Sequence, residues 1–211
     1  MRLAQTVVLA TLNRGKFEEF SALMATYCPE LKLAPPQEFV RNAEGLKQVE
    51  KYSTYLENAS AKARLIQMGC HYPTLADDSG LEVDALSGKP GVRSHRFAPP
   101  KAGVPQDQNN VDYLLSQMKA NPQRTARFVC TLVFSMEGIL VHTTATLEGS
   151  IASSPRGSQG FGYDSVFIPS GSNKTIAEMT NSEKNAISHR AKAVRELVAL
   201  VKNHGIVFAK P

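Results

Sequence analysis

Thr6-Val7-Val8-Leu9-Ala10-Thr11 is a short apolar run bounded by hydroxyl residues, and Leu12-Asn13-Arg14-Gly15-Lys16 follows it directly. A run of this length reads as a buried strand over residues 6–11. Phe17, Phe20, Met24 and Tyr27 then recur at helical spacing, which predicts a helix over residues 14–27. A strand, a turn bearing glycine and a helix are the opening unit of an α/β arrangement. The rest of the chain extends it. Residues 31–34 read as a second strand, stopped by Pro35-Pro36. A long helix is expected over residues 48–68, with Tyr52, Tyr55, Leu56, Ala59 and Ala63 as its apolar stripe and Gly69 as its end. Residues 74–76 form a short strand that runs into Asp77-Asp78-Ser79-Gly80, read as a turn.

Residues 87–108, rich in Gly, Pro and Ser, form an ordered loop before a helix over residues 107–119. Residues 127–136 and 139–147 are strands joined at Glu137-Gly138, a hairpin signal. Residues 153–162 make a second Gly-rich loop. Thr180 and Glu183 then have capping-box spacing. They open a final helix whose face is Ile187, Ala191, Val194, Val198 and Val201. Strands alternating with helices, plus one hairpin, predict an α/β fold: a mixed twisted sheet with flanking helices.

Composition narrows the function. The 211 residues, 42% hydrophobic and 20% charged, have ordinary globular values, so disordered and collagen-like classes are excluded. We expect a single domain, residues 1–211. A net charge of +5 suits an anionic small-molecule ligand and is too small to demand nucleic acid, so no stable nucleic-acid binding is expected. Cys28, Cys70 and Cys130 are odd in number with no CxxC pair, which excludes a disulfide framework and a cysteine zinc site. The longest apolar run, Leu197-Val198-Ala199-Leu200-Val201, is five residues, so no membrane span is expected. These features point to the cytoplasm.

Five segments carry residues suited to chemistry. Thr11, Leu12, Asn13, Arg14, Gly15 and Lys16 lie where strand becomes helix, where free N–H groups and the dipole favour an anion. The GxxxxGK[ST] spacing of a Walker loop is absent. The plainer alternative is a capping Asn13 beside an exposed Lys16. Asp77 and Asp78 would point to opposite faces of a strand, and a turn at Ser79-Gly80 would let them approach one site. Hard carboxylates suit Mg²⁺ and can take a proton from water. The alternative is an acidic turn capping a strand. Glu50, Glu57, Asn58 and Lys62 fall along the long helix; Glu50 and Glu57 share a face there, and a solvated charged face is the usual meaning of such a pattern. Phe161, Gly162, Tyr163 and Asp164 place two aromatics near glycines, as stacking on a nucleobase needs, or as a tight turn with buried rings needs. Lys184, His189 and Arg190 are cations near a helix start. They oppose its dipole unless something anionic compensates, though a lone His there is usually a surface residue.

Taken in order, ATLNRGK, LENASAKA, LADDSGLEVDAL, GKPGVRS, GFGYDSVF and SEKNAISHR resemble the inosine-triphosphate pyrophosphatase family, also called Ham1-like or non-canonical purine NTP pyrophosphatases. The resemblance runs from Ala10 to Arg190. It implies an elongated, two-lobed α/β fold with a central cleft and a homodimer. It also implies Mg²⁺-dependent hydrolysis of ITP, dITP and XTP to the monophosphate and pyrophosphate. By position, it implies phosphate binding by Thr11 to Lys16 with Lys62. It makes Asp78 the general base and a metal ligand, with Asp77 and Glu50 beside it and Ser79 at the substrate. Phe161, Gly162, Tyr163, Asp164, Lys184, His189 and Arg190 would recognise the base; among them Arg190, with a rigid fork and a charge that does not titrate, is expected to read the six-position oxygen. There are departures: Leu12 stands where a small residue is common, His95 where Ala is common, and Ser165 where Pro is frequent. Glu50-Lys51-Tyr52-Ser53-Thr54 replaces the usual acidic residue followed by Thr-Gly.

Overall fold

Val7, Val8, Leu9 and Ala10 are completely buried. Strand β2 (Thr6–Leu9) has a parallel neighbour on each side, β3 (Lys32–Ala34) and β4 (Thr74–Val83). A strand covered on both faces needs apolar residues at every position. The structure, a computed structural model, describes residues 2–3, 6–119, 121–205 and 207–208. Strand β1 (Arg2–Leu3) pairs in parallel with β8 (Val207–Phe208). The remaining strands, β5 (Thr125–Met136), β6 (Ile139–Ile151) and β7 (Phe167–Pro169), complete one sheet in the order β3-β2-β4-β5-β6-β7. Parallel pairing around β2 and antiparallel β6–β7 pairing make it the mixed sheet the sequence predicts. Its helices are α1 (Arg14–Tyr27), α2 (Leu46–Val49), α3 (Tyr55–Cys70), α4 (Gln106–Met118), α5 (Asn181–Ile187) and α6 (His189–Asn203).

The chain divides into two compact units. Unit 1 comprises Met1–Asp78, Cys130–Ala145 and Arg190–Pro211. Successive residues of β2 serve its two faces, as strand geometry requires. Val7 and Leu9 pack with Phe20, Leu23 and Met24 of α1 and with Ala191, Val194 and Leu197 of α6. Val8 and Ala10 pack with Ala59, Ala63 and Ile66 of α3. Unit 2 comprises Ser79–Val129 and Thr146–His189. Its core joins Val111, Leu114 and Met118 of α4 to Leu81, Val83, Phe128, Leu147 and Phe167.

Several expectations are corrected. The helix expected over residues 48–68 is two helices. Thr54 is extended (φ −121, ψ 150) and its hydroxyl accepts the Glu57 N–H at 3.2 Å. Asn58 accepts from Tyr52 N–H at 3.0 Å and donates to the Tyr52 carbonyl at 3.3 Å, which fastens the break. Capping here overrides continuous helix propensity. Tyr52 and Leu56, assigned to the apolar stripe, are exposed, and Ile66 completes the buried face instead. The helix ends at Cys70, with His71 left-handed (φ 57), rather than at Gly69. The turn expected at Ser79-Gly80 is absent, because β4 runs through Asp77-Asp78-Ser79-Gly80. The final helix is also interrupted: Ser188 is extended (φ −61, ψ 152) between α5 and α6.

Candidate active site

In unit 1, α1 begins where the sequence predicts. Asn13 caps it, its Oδ1 accepting the Lys16 N–H at 3.0 Å, and the Asn13 N–H donates to Thr11 Oγ1 at 3.2 Å. Arg14 is exposed and pairs with Glu18 at 2.7 Å, while Leu12 packs on the core beneath the loop. Gly15 lies within the first turn of α1. Lys16 is not an exposed cap residue: its Nζ donates to Asp77 Oδ2 at 2.8 Å. Because β4 is continuous, Asp77 and Asp78 leave it in opposite directions and meet different partners. Asp78 Oδ2 accepts from Asn58 Nδ2 at 3.1 Å, and Asp78 Oδ1 lies 3.4 Å from Lys62 Nζ. Lys62 Nζ also donates to Glu50 at 2.7 Å. Glu50 does not share a helix face with Glu57. It sits just beyond α2 and reaches Lys62 from there. Arg190, at the start of α6, is buried and pairs with Glu19 of α1 at 3.1 Å.

The two aspartates differ in proton affinity. Burial would raise Asp77, but the charges of Lys16, Lys62 and Arg190 outweigh it and hold its carboxyl well below the usual range. For Asp78 burial wins: Lys62 and Lys16 pull down, Asp77 and Glu50 push up, and the carboxyl stays raised. Burial also opposes the charge on Lys62, yet Asp77, Asp78 and Glu50 raise it well above the ordinary lysine range. Glu50 is raised by burial but lowered further by Lys62, and ends below its ordinary value.

Unit 2 brings together a second set. Asp164 Oδ2 accepts from the Phe161 N–H at 3.0 Å and from Lys184 Nζ at 2.9 Å. Lys184 Nζ also lies 4.9 Å from the centre of the half-buried Phe161 ring. Tyr163 is not an open stacking ring: it is buried in the core and its hydroxyl donates to the Ser94 carbonyl at 2.8 Å. His189 is not a surface residue either. Its ring stacks on Phe128 with centroids 4.8 Å apart. Ser79 is half-buried on β4. Asp107 of α4 accepts the Gly162 N–H at 2.9 Å. Sequence reading missed Asp107, since an acidic residue in a helix's first turn normally signals only the dipole.

A model of the Ham1 family matches residues 7–200 of this chain. The chain belongs to the Ham1 family. Among its relatives is the dITP/XTP pyrophosphatase of Bacillus subtilis strain 168, 39% identical over 205 residues, covering 96% of this chain and 100% of the relative. That of Geobacillus kaustophilus is 43% identical over 194 residues, covering 90% and 91%. The solved structure of the Staphylococcus aureus Ham1 protein superposes with a TM-score of 0.80 at 32% identity, covering 94% of this chain and 99% of that one. The Ham1 protein of Coxiella burnetii gives 0.79 at 34% identity, covering 94% and 98%.

For this Ham1 chain the donors suit a hard cation in kind. Glu50 and Asp78 are carboxylates already directed at one cation, Lys62 Nζ. Among the described residues no three His, Cys, Asp or Glu side chains converge to hold an ion by themselves. Such a donor set fits Mg²⁺, which takes one or two carboxylates and completes its shell with phosphates and water. Among the described residues no helix is long and apolar enough to cross a membrane.

Proposed function

We propose that this chain, as one nucleotide-pyrophosphatase domain, hydrolyses the non-canonical purine triphosphates ITP, dITP and XTP to the monophosphate and pyrophosphate. The observation that carries the chemistry is the setting of Asp78: it is buried, held by Asn58 Nδ2 at 3.1 Å, and lies 3.4 Å from a Lys62 Nζ that also binds Glu50, while its neighbour Asp77 is tied to Lys16. The names of the Ham1 relatives support the substrate class.

In this reading Asp78 takes the proton of a water that attacks phosphorus in line as pyrophosphate leaves. Asn58 orients that carboxylate through its 3.1 Å bond. Glu50 and Asp78 would hold Mg²⁺, which supplies charge neutralisation on phosphate oxygens, and Asp77, paired with Lys16 on the other side of β4, would support the site through that lysine. Lys16, Lys62 and the Thr11-to-Lys16 loop bind phosphate and neutralise charge on the leaving group. Ser79 contacts the substrate. Phe161 offers the stacking ring, and Gly162, Tyr163, Asp164, Lys184 and His189 shape the base-binding set. Arg190, buried and paired through Nη1 with Glu19 at 3.1 Å, reads the six-position oxygen. That oxygen is an acceptor in inosine and xanthine. Adenine presents a donor there, which faces donor against donor. The reading includes a cytoplasmic homodimer.

Pyrophosphate release over a triphosphate panel, with and without Mg²⁺, tests it. ITP or XTP exceeds ATP in kcat/KM by at least about 100-fold, and Arg190→Ala loses most of that advantage. Asp78→Asn keeps the fold and loses roughly 100-fold or more in kcat. Full activity in EDTA, or near-normal turnover of Asp78→Asn, sinks the assignment; equal rates on ATP and ITP remove only the specificity.

A further inference from the structure

Three consecutive residues of the Gly-rich segment are each tied down by a different partner in unit 2. Phe161 N–H is held by Asp164 and the Tyr163 hydroxyl by the Ser94 carbonyl. Between them, Gly162 N–H is held by Asp107 Oδ2, from 55 residues away. Gly162 is left-handed (φ +61), and a Cβ there would meet nothing within 4 Å. No side chain at Gly162 helps to hold its backbone, and glycine itself is free to turn. The Asp107 hydrogen bond constrains it alongside the 3.3 Å bond from Asp164 N–H to the Phe161 carbonyl, and a bond to a carboxylate is among the stronger kind.

The carboxylate is itself held in place. Asp107 lies in the first turn of α4, whose start is anchored to the preceding loop. Gln106 Nε2 donates to the Ala98 carbonyl at 3.0 Å. Asn110 Oδ1 accepts the Ala98 N–H at 2.9 Å, and Asn110 Nδ2 donates to the His95 carbonyl at 3.0 Å. The Phe161–Gly162 peptide is thus held at both ends, its carbonyl by the loop's own Asp164 N–H at 3.3 Å and its N–H by Asp107 of α4. The Phe161 side chain leaves the residue on one side of that peptide, and its ring centre lies 4.9 Å from Lys184 Nζ.

We propose that Asp107 is a positioning residue for base selection: its carboxylate fixes the Phe161–Gly162 peptide and so the angle that the Phe161 ring offers a purine. This rests on the reading of Phe161 to Asp164 and Lys184 as the base-binding set. A recognition group contributes to selection only while its supporting contacts hold it close to the productive geometry. The residue therefore acts on substrate affinity and choice, and leaves proton transfer at Asp78 alone.

The experiment compares wild type with Asp107→Ala and Asp107→Asn. It measures kcat and KM for ITP and ATP, and calorimetric binding of IMP and AMP, which needs no turnover. Asp107→Ala raises KM for ITP by about 10-fold and cuts the ITP-to-ATP selectivity by a similar factor, with kcat changed less than about threefold. IMP binding weakens in parallel. Asp107→Asn, whose amide oxygen still accepts the Gly162 N–H, recovers most of the selectivity. A folded Asp107→Ala with wild-type KM and selectivity overturns the proposal, as does an Asn variant as impaired as the Ala variant. Should Asp107→Ala not fold, Asp107→Glu decides, since it keeps the charge but displaces the acceptor by one methylene; wild-type selectivity there overturns the proposal. Wild type that neither hydrolyses ITP nor prefers IMP to AMP defeats the functional reading itself, a different outcome from wild-type discrimination that survives in Asp107→Ala.

Discussion

Asp77 shows how a single carboxylate couples the candidate site to stability. Its side chain is 1% exposed and its Lys16 partner 16%. Burial raises its proton affinity, but Lys16, Lys62 and Arg190 lower it further, so its folded pKa lies below its unfolded one. The unfolded chain then binds the proton more readily. Asp77 contributes fully above its unfolded pKa, about 3.9, and that contribution is lost as pH falls through the folded value. Asp78 has the opposite sign, because burial holds it up and its protonation favours the folded chain. Asp77→Asn is less stable than wild type at pH 7 by about 3 kcal/mol, since Lys16 keeps its charge without its partner. The gap narrows below about pH 4, where the Asp77 carboxylate of the unfolded chain takes up a proton while the folded one does not. Urea unfolding followed by circular dichroism from pH 7 to pH 2 reads both effects. A gap that stays constant across that range removes Asp77 from the acid limb.

At the scale of elements, β6 and β7 approach too closely for any side chain at Gly149. A Cβ there would lie 2.3 Å from the Ile168 carbonyl oxygen and 2.7 Å from the Phe167 ring. Gly149 pairs with Pro169 across the antiparallel ladder, and Phe167 is fully buried against Phe128. Neither the backbone oxygen nor the ring can withdraw without disturbing the unit 2 core. Gly149→Ala is therefore destabilised by about 1–3 kcal/mol, the usual cost of overpacking. A thermal midpoint equal to wild type would show that the two strands separate freely. The α5 start is secured differently, by a reciprocal box in which Thr180 and Glu183 each satisfy the other's backbone N–H. The Thr180 N–H, accepted at 2.7 Å, brings the exposed Glu183 carboxyl down to about 2, helped by Lys174.

For the whole molecule, charge decides between a small anionic ligand and a polyanion. The net charge is +5, and many of the cations are already engaged with carboxylates: Lys16, Lys62, Arg127, Lys184 and Arg190 among them. Nucleic-acid affinity grows with the number of phosphates neutralised, and paired cations contribute little to it. Duplex DNA accordingly binds no tighter than about 10⁻⁵ M at physiological salt, and more weakly as salt rises. Fluorescence anisotropy with a labelled duplex measures this, and tight binding under those conditions would favour a nucleic-acid module instead.

The sequence by itself determined what depends on neighbours in the chain. The β2 strand, the Asn13 cap, the 14–27 helix, the hairpin at Glu137-Gly138 and the Thr180–Glu183 box all follow from local spacing. Their interactions span at most a few residues, so periodicity and cap chemistry carry them. Local reading failed where one residue's capping outweighed a continuous pattern, as Thr54 and Asn58 did between α2 and α3. The residue types of the candidate site were legible too, but not their pairing. Lys16 meets Asp77 across 61 residues, Asp107 meets Gly162 across 55, and Arg190 meets Glu19 across 171. No period or spacing encodes such contacts, because they exist only once strands and helices have packed. Burial is likewise a property of the packed molecule. It decided for Tyr163 between a stacking ring and a buried one and took His189 off the surface, and together with the cations packed around Asp77 it left two adjacent aspartates on opposite sides of their ordinary proton affinity.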